Sequence, residues 1–262
     1  MKALLAIEWL KIKRYRTFWI LAAFFTVLLP LWNYMIASGM MQMGGGGVNF
    51  LNRAYSFPGV WENVGFLASI FIIFLSMLVI ILTTNEFTYR THRQNVIDGW
   101  SRMQFYHAKV WLVVALSLLA TIYLFLTGAI LGLTHYGDLS DIFEKGEQIL
   151  YFFVLAINYL GFALVISIWI KRSGLAIGIF MLYILIIENM LRGLINWSTE
   201  THYGNFLPLQ SSDELLPFPM MSMAQQLLKQ DAPEKWIYIL VSLGWCTLYY
   251  LLGRDMIQHR DQ

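Results

Sequence analysis

Six apolar stretches divide the chain: Phe18–Ile36, Gly65–Thr83, Val110–Leu133, Ile149–Ile170, Leu175–Leu191 and Trp236–Leu252. Polar residues gather between them. Each stretch is close to the roughly 20 residues that a helix needs to cross a hydrocarbon core. None has a Lys or Arg in its interior, and Pro30 is tolerable if a neighbouring helix or water serves the carbonyl it frees. The pattern predicts an all-α integral membrane protein with six transmembrane helices, forming one transmembrane domain over 1–262. Before the first span, Leu5, Trp9 and Ile12 fall on one helical face while Glu8 and Lys11 lie on another. That predicts an interfacial helix over 1–17. The first span is longer than a signal-peptide core, so it is expected to stay in the protein.

Composition agrees with the pattern. Of 262 residues, 58% are hydrophobic and 13% charged, against roughly 25% charged in soluble domains. So few charges cannot cover a water-facing surface, and lipid is the expected surroundings. A net charge of +2 gives no reason to expect nucleic acid as a partner. The one cysteine, Cys246, sits in an apolar run and reads as a small buried hydrophobe.

Charge distribution sets orientation. With the N-terminus inside, the inner segments hold 13 Lys and Arg and the outer segments 5. The positive-inside rule then places both termini in the cytoplasm. The segment 192–235 becomes extracytoplasmic. Pro208, Pro217, Pro219 and Pro233 punctuate it, which fits a folded outer segment or two short re-entrant helices. The run Gly44–Gly47 in the first outer loop reads as a linker.

The most structured polar stretch is 85–109, NEFTYRTHRQNVIDGWSRMQFYHAK, between the second and third spans. Gly99 stands where a helix would end in a left-handed cap. Ser101 and Gln104 have the spacing of a capping box that starts the next helix. A short helix over about Glu86–Asp98, a turn at Gly99 and a second helix from Arg102 would push an elbow out of the membrane. Val96, Ile97 and Trp100 give its tip an apolar contact surface, ringed by Arg90, Arg93 and Arg102. Such a tip suits docking into a groove on a soluble partner. The plainer reading is a basic loop held by anionic lipid.

This stretch resembles the coupling-helix region of type-2 ABC exporter permeases. The residues that carry the resemblance are Glu86, Thr91, Arg93-Gln94, Val96-Ile97, Gly99, Ser101-Arg102, Phe105 and Lys109. The N-terminal stretch EWLKIKRYRTFWI is similar to the family's elbow helix, and six spans with an irregular outer segment before the last complete the match. The resemblance implies a permease subunit of an ATP-driven exporter in a bacterial cytoplasmic (inner) membrane. Its implied ATPase-docking residues are Glu86, Arg90, Arg93, Val96, Ile97, Gly99, Trp100 and Arg102. Its implied partners are a separate cytoplasmic P-loop ATPase, a second permease copy or paralogue, and membrane lipid.

The chain contains no G-x-x-x-x-G-K-[ST], H-E-x-x-H or G-x-S-x-G. It is therefore expected to bind no cofactor or metal directly, to hold no catalytic residue, and to draw on ATP only through a partner. Within the spans, Glu188 and Arg192 are spaced to pair along one helix, a structural pair rather than a transport site. Asn158 is expected to bond a neighbouring helix. The pairs Gly128/Gly132 and Gly174/Gly178 suit either a dimer seam or packing within the chain. Trp32, Tyr34, Trp61, Trp236 and Tyr238 read as interfacial anchors. A rival function is a membrane scaffold or sensor that recruits a cytoplasmic protein and transports nothing. No motif names a substrate.

Overall fold

The computed structural model describes residues 12–13, 15–38, 55, 57, 59–89, 91, 99, 101–134, 142–219 and 233–259. The predicted interfacial helix over 1–17 falls mostly outside these residues. So do Arg90, Arg93, Val96, Ile97 and Trp100 of the elbow. Among the described residues the secondary structure is helical throughout, with no strand.

The elements are α1 (Arg16–Ala37), α2 (Gly59–Thr88), α3 (Arg102–Thr134), α4 (Glu147–Ile170), α5 (Ser173–Leu182), a π-turn (Tyr183–Ile187), α6 (Glu188–Thr199), a 3-10 turn (Tyr203–Phe206), α7 (Gln210–Asp213) and α8 (Lys235–His259). The stretch Ser173–Thr199 runs as one rod, so among the described residues six helices are long and apolar enough to cross a membrane. Each is longer than its apolar run. The fifth continues to Thr199, eight residues beyond Leu191, where the run was expected to end. A helix does not stop where hydrocarbon stops, because its backbone bonds are as good at the interface as within it.

α2 and α4 form the centre, packed along each other, with α1, α3 and α8 around them. The apolar stretches of α2 and α4 are 56% and 61% buried, against 17% for the α5–α6 rod and 22% for α8. The rod and α8 therefore offer most of their apolar surface to whatever surrounds the chain. Below, the end holding Glu86, Gly99 and the α4–α5 turn is the elbow end, and the opposite end is the plug end.

Pro30 lies inside α1 and removes the N–H that Thr26 would have bonded. The Tyr123 hydroxyl of α3 donates to that Thr26 carbonyl at 2.5 Å. The neighbouring helix thus supplies the missing donor. Trp61, expected as an interfacial anchor, is fully buried instead. It stacks on Phe125 at 5.6 Å between ring centroids and donates its indole N–H to the Ile142 carbonyl. Tyr238 is likewise buried. Position near a span end did not make either residue an anchor, because loops and neighbouring helices cover them.

Gly128 and Gly132 face that aromatic cluster. A Cβ on Gly128 would stand 2.5 Å from the Trp61 ring, and one on Gly132 would collide with Phe57. The pair serves packing within the chain. Gly174 and Gly178 have open space where a side chain would go. Gly128→Val is expected to cost about 1–3 kcal/mol by overpacking, read as a lower thermal midpoint of the purified protein. A variant that keeps its midpoint but loses self-association would return Gly128 to a dimer seam.

Candidate functional site

Two polar assemblies stand at opposite ends of the bundle. At the elbow end, Glu86 closes α2 and Lys109 opens the membrane part of α3. Both are buried, and Nζ of Lys109 lies 2.5 Å from Oε1 of Glu86. Phe87 meets Phe105 edge to face across the same two helices at 6.0 Å. An ion pair and an aromatic pair therefore fasten the end of α2 to the start of α3. Glu86, expected on the docking surface, is turned inward here and braces its base.

The elbow's punctuation follows the sequence. Gly99 has φ of 96°, in the left-handed region that a glycine enters without a side-chain clash. The Ser101 N–H donates to Gln104 Oε1 at 2.9 Å, and the Gln104 N–H donates to Ser101 Oγ at 3.1 Å. This reciprocal capping box fixes where α3 begins. Arg102, in the first turn of α3, is exposed. The α4–α5 turn lies close by, with Lys171 in the left-handed region and its ammonium 5.5 Å from the Phe87 ring centroid. Asn85 donates to the Tyr15 hydroxyl, tying the start of α1 to the same end.

At the plug end, the chain between α6 and α8 folds back into the bundle. Asn158 lies halfway along α4, yet its amide donates to the Pro208 carbonyl at 2.7 Å and to Ser212 Oγ at 3.0 Å. The segment 203–216 therefore descends to the middle of α4 as a re-entrant plug. Irregular backbone at that depth persists only where protein serves its polar groups. The plug meets this condition on several sides. The Tyr159 hydroxyl donates to Asp213 at 2.8 Å, Ser242 of α8 donates to Ser211 at 3.0 Å, and Trp245 of α8 donates to the Phe206 carbonyl at 3.0 Å. A Cβ on Gly65 of α2 would come within 3.1 Å of Leu216, so apolar contact closes a further side.

Glu188 and Arg192 both belong to this assembly, but they do not bond one another as expected. Glu188 is 1% exposed, and its Oε1 accepts the backbone N–H groups of Leu209 at 2.6 Å and Gln210 at 3.2 Å. Arg192 donates to Asn205 at 2.9 Å, to Gln210 at 2.8 Å and to Glu214 at 2.5 Å. The helical spacing puts both side chains on one face, as predicted. The plug then offers each a better partner: unbonded N–H groups at the start of α7 for the acid, and a carboxylate with two amides for the guanidinium. Asn158 bonds a neighbouring helix as expected, its Oδ1 accepting from the Cys246 thiol of α8 at 4.0 Å, while its amide N–H groups go to the plug. Asp213, Glu214, Asn205 and Gln210 were not singled out in the sequence, although their segment was read as a folded outer segment or two short re-entrant helices. The clustered prolines were its only signal.

Among the described residues, no group of three or more His, Cys, Asp and Glu is placed to hold a metal. A protein-family model described as ABC-2 family transporter protein matches residues 4–187. The chain belongs to the ABC-2 family of transporter proteins. It is a multi-pass membrane component of that family, and no P-loop is present in its sequence. The matched stretch takes in α1 to α5, the elbow and the π-turn, and it ends at Ile187. Glu188 and the rest of the plug assembly lie beyond it. No curated protein matches this ABC-2 protein in sequence.

Proposed function

We propose that this ABC-2 protein is the permease subunit of an ATP-driven exporter, moving its substrate out of the cytoplasm or the inner leaflet. The observation that carries the reading is the braced elbow. Its stems are locked by Glu86 and Lys109, and its turn is set by Gly99 and the Ser101–Gln104 box. A lever fixed at its base transmits a push from a docked partner to α2 and α3 as near-rigid bodies. The partner is a P-loop ATPase subunit that docks on Val96, Ile97, Gly99 and Trp100, with Arg90, Arg93 and Arg102 around them. Membership of a transporter family supports the same assignment. Six helices are too few to enclose a broad path, so two permease copies, or one with a paralogue, form it. The positive-inside bias puts the elbow and both termini in the cytoplasm and the plug on the outer side, where it closes the exit.

The test is co-purification with the ATPase. The chain alone is expected to hydrolyse no ATP. Trp100→Ala is expected to reduce ATPase recovery with membrane abundance unchanged, because truncating a buried aromatic anchor typically costs about 2 kcal/mol, roughly thirtyfold in affinity. Unchanged recovery and transport would overturn the docking role. Greater sensitivity to removing Arg90, Arg93 and Arg102 would assign the loop to anionic lipid. ATPase recruitment without any stimulated turnover would favour a scaffold.

A further inference from the structure

A groove of about 510 Å³ opens between α4, α5 and α8, lined by none of the plug or brace residues named above. Phe162 and Trp169 of α4, Ile179 of α5, Tyr183 of the π-turn and Met256 of α8 form its walls. Its volume lies within the 300–1,000 Å³ of ordinary small-molecule sites. Among the described lining residues, the titratable side chains of Asp255 and His259 stand together near the end of α8. They are one helical turn apart, with Nδ1 of His259 2.8 Å from Oδ1 of Asp255.

Depth gives this arrangement a direction. At 1.5 Å per residue the 25 residues of α8 extend about 37 Å, longer than a hydrocarbon core of about 30 Å. Its last turn, carrying Asp255 and His259, therefore stands at headgroup level, while Phe162 and Tyr183 lie deeper. The groove is apolar inside and polar at its outer rim, which is the polarity of an amphiphile. The rim also has a sign. A carboxylate has about four acceptor positions, and the His259 contact engages one. The carbonyl end of α8 adds partial negative charge at the same place. Among the described residues the lining includes Asp255 but not its cationic neighbour Arg254. The π-turn in the wall is a further mark of function, since such irregularities cluster at functional sites.

We propose that this groove binds a cationic amphiphile, with its single long tail against Phe162, Ile179 and Tyr183 and its ammonium head on Asp255. The proposal deepens the exporter reading by naming a substrate class, and it rests on that reading for turnover but not for binding. Tyr183 in the groove opens the π-turn and Glu188 under the plug directly follows it, on one continuous rod. Occupancy on one side of that turn is thereby joined to the plug on the other.

The test is saturable binding of radiolabelled dodecyltrimethylammonium to the intact protein in nanodiscs of zwitterionic lipid. Dodecanol and dodecyl sulfate serve as same-tail competitors. Ile179→Trp, which fills the groove at a half-exposed position, is expected to abolish saturable binding with thermal stability unchanged. Asp255→Asn is expected to weaken ammonium binding about fivefold, as for loss of one interfacial charge pair, and to leave dodecanol competition as it was. Ammonium binding that survives both variants would overturn the proposal. Competition by the sulfate equal to that by the ammonium would do the same, reducing the groove to a lipid-filled crevice. Loss of self-association in Ile179→Trp would overturn it too, assigning the groove to a second copy. Stimulation of the complex's ATPase by the same probe is read separately. Binding without stimulation leaves the site standing and counts against the exporter reading.

Discussion

Glu188→Ala is expected to release the plug, whereas Glu188→Gln is expected to hold it. Glu188 serves as an acceptor for two backbone donors, the N–H groups of Leu209 and Gln210, in a buried position. A buried donor left unsatisfied costs about 1–3 kcal/mol, so the alanine variant should lose about 3 kcal/mol. Glutamine keeps an acceptor oxygen in the same position and should lose under about 1 kcal/mol. Ser211 gives the direct readout, because this residue of the plug is fully buried against Ser242 of α8. A Ser211→Cys reporter in a Cys246→Ala background should resist maleimide in the parent and in the glutamine variant, and react in the alanine variant. Equal labelling and equal loss of transport in both would mean that the negative charge itself matters, as on an ion pathway. The structural role would then fail.

The second large effect belongs to the elbow brace. Glu86→Ala takes away the carboxylate that meets a buried ammonium, and breaking such a pair from one side costs about 3–5 kcal/mol. The elbow should lose its aim as well as its stability, so ATPase co-purification should fall with the thermal midpoint. Adding Lys109→Met should restore most of the stability, because a buried pair replaced on both sides by apolar groups is often nearly neutral. The comparison separates a brace from a docking contact. A docking glutamate would lose ATPase recovery without destabilising the chain, and Lys109→Met would not rescue it. Additive losses in the double variant would sink the brace.

Both effects depend on partners of different legibility. Glu86 and Lys109 were visible as the two ends of the elbow motif, and their residue types are opposite. Yet the family resemblance put Glu86 among the docking residues, and nothing in the sequence showed that its side chain turns inward. It is buried against Lys109 of α3, and the edge-to-face pair of Phe87 and Phe105 joins the same two helices. The turn at Gly99 and the Ser101–Gln104 box were readable because they are local. Each depends on residues no more than a few positions apart, whose geometry the backbone itself fixes.

The six spans, the helical class and the elbow's punctuation were determined by the sequence alone, because length, apolarity and capping chemistry act within one segment. The partners of Glu188, Arg192 and Asn158 were decided only by tertiary structure. Helical spacing put Glu188 and Arg192 on one face, but the acid's choice between an arginine one turn away and two N–H groups on Leu209 and Gln210 required the plug to be in place. The plug lies where it does because Asn158, Tyr159, Ser242 and Trp245, contributed by two other helices, satisfy its irregular backbone and polar side chains together. Such mutual satisfaction of buried polar groups is a property of several packed segments at once, and no single stretch of the chain encodes it.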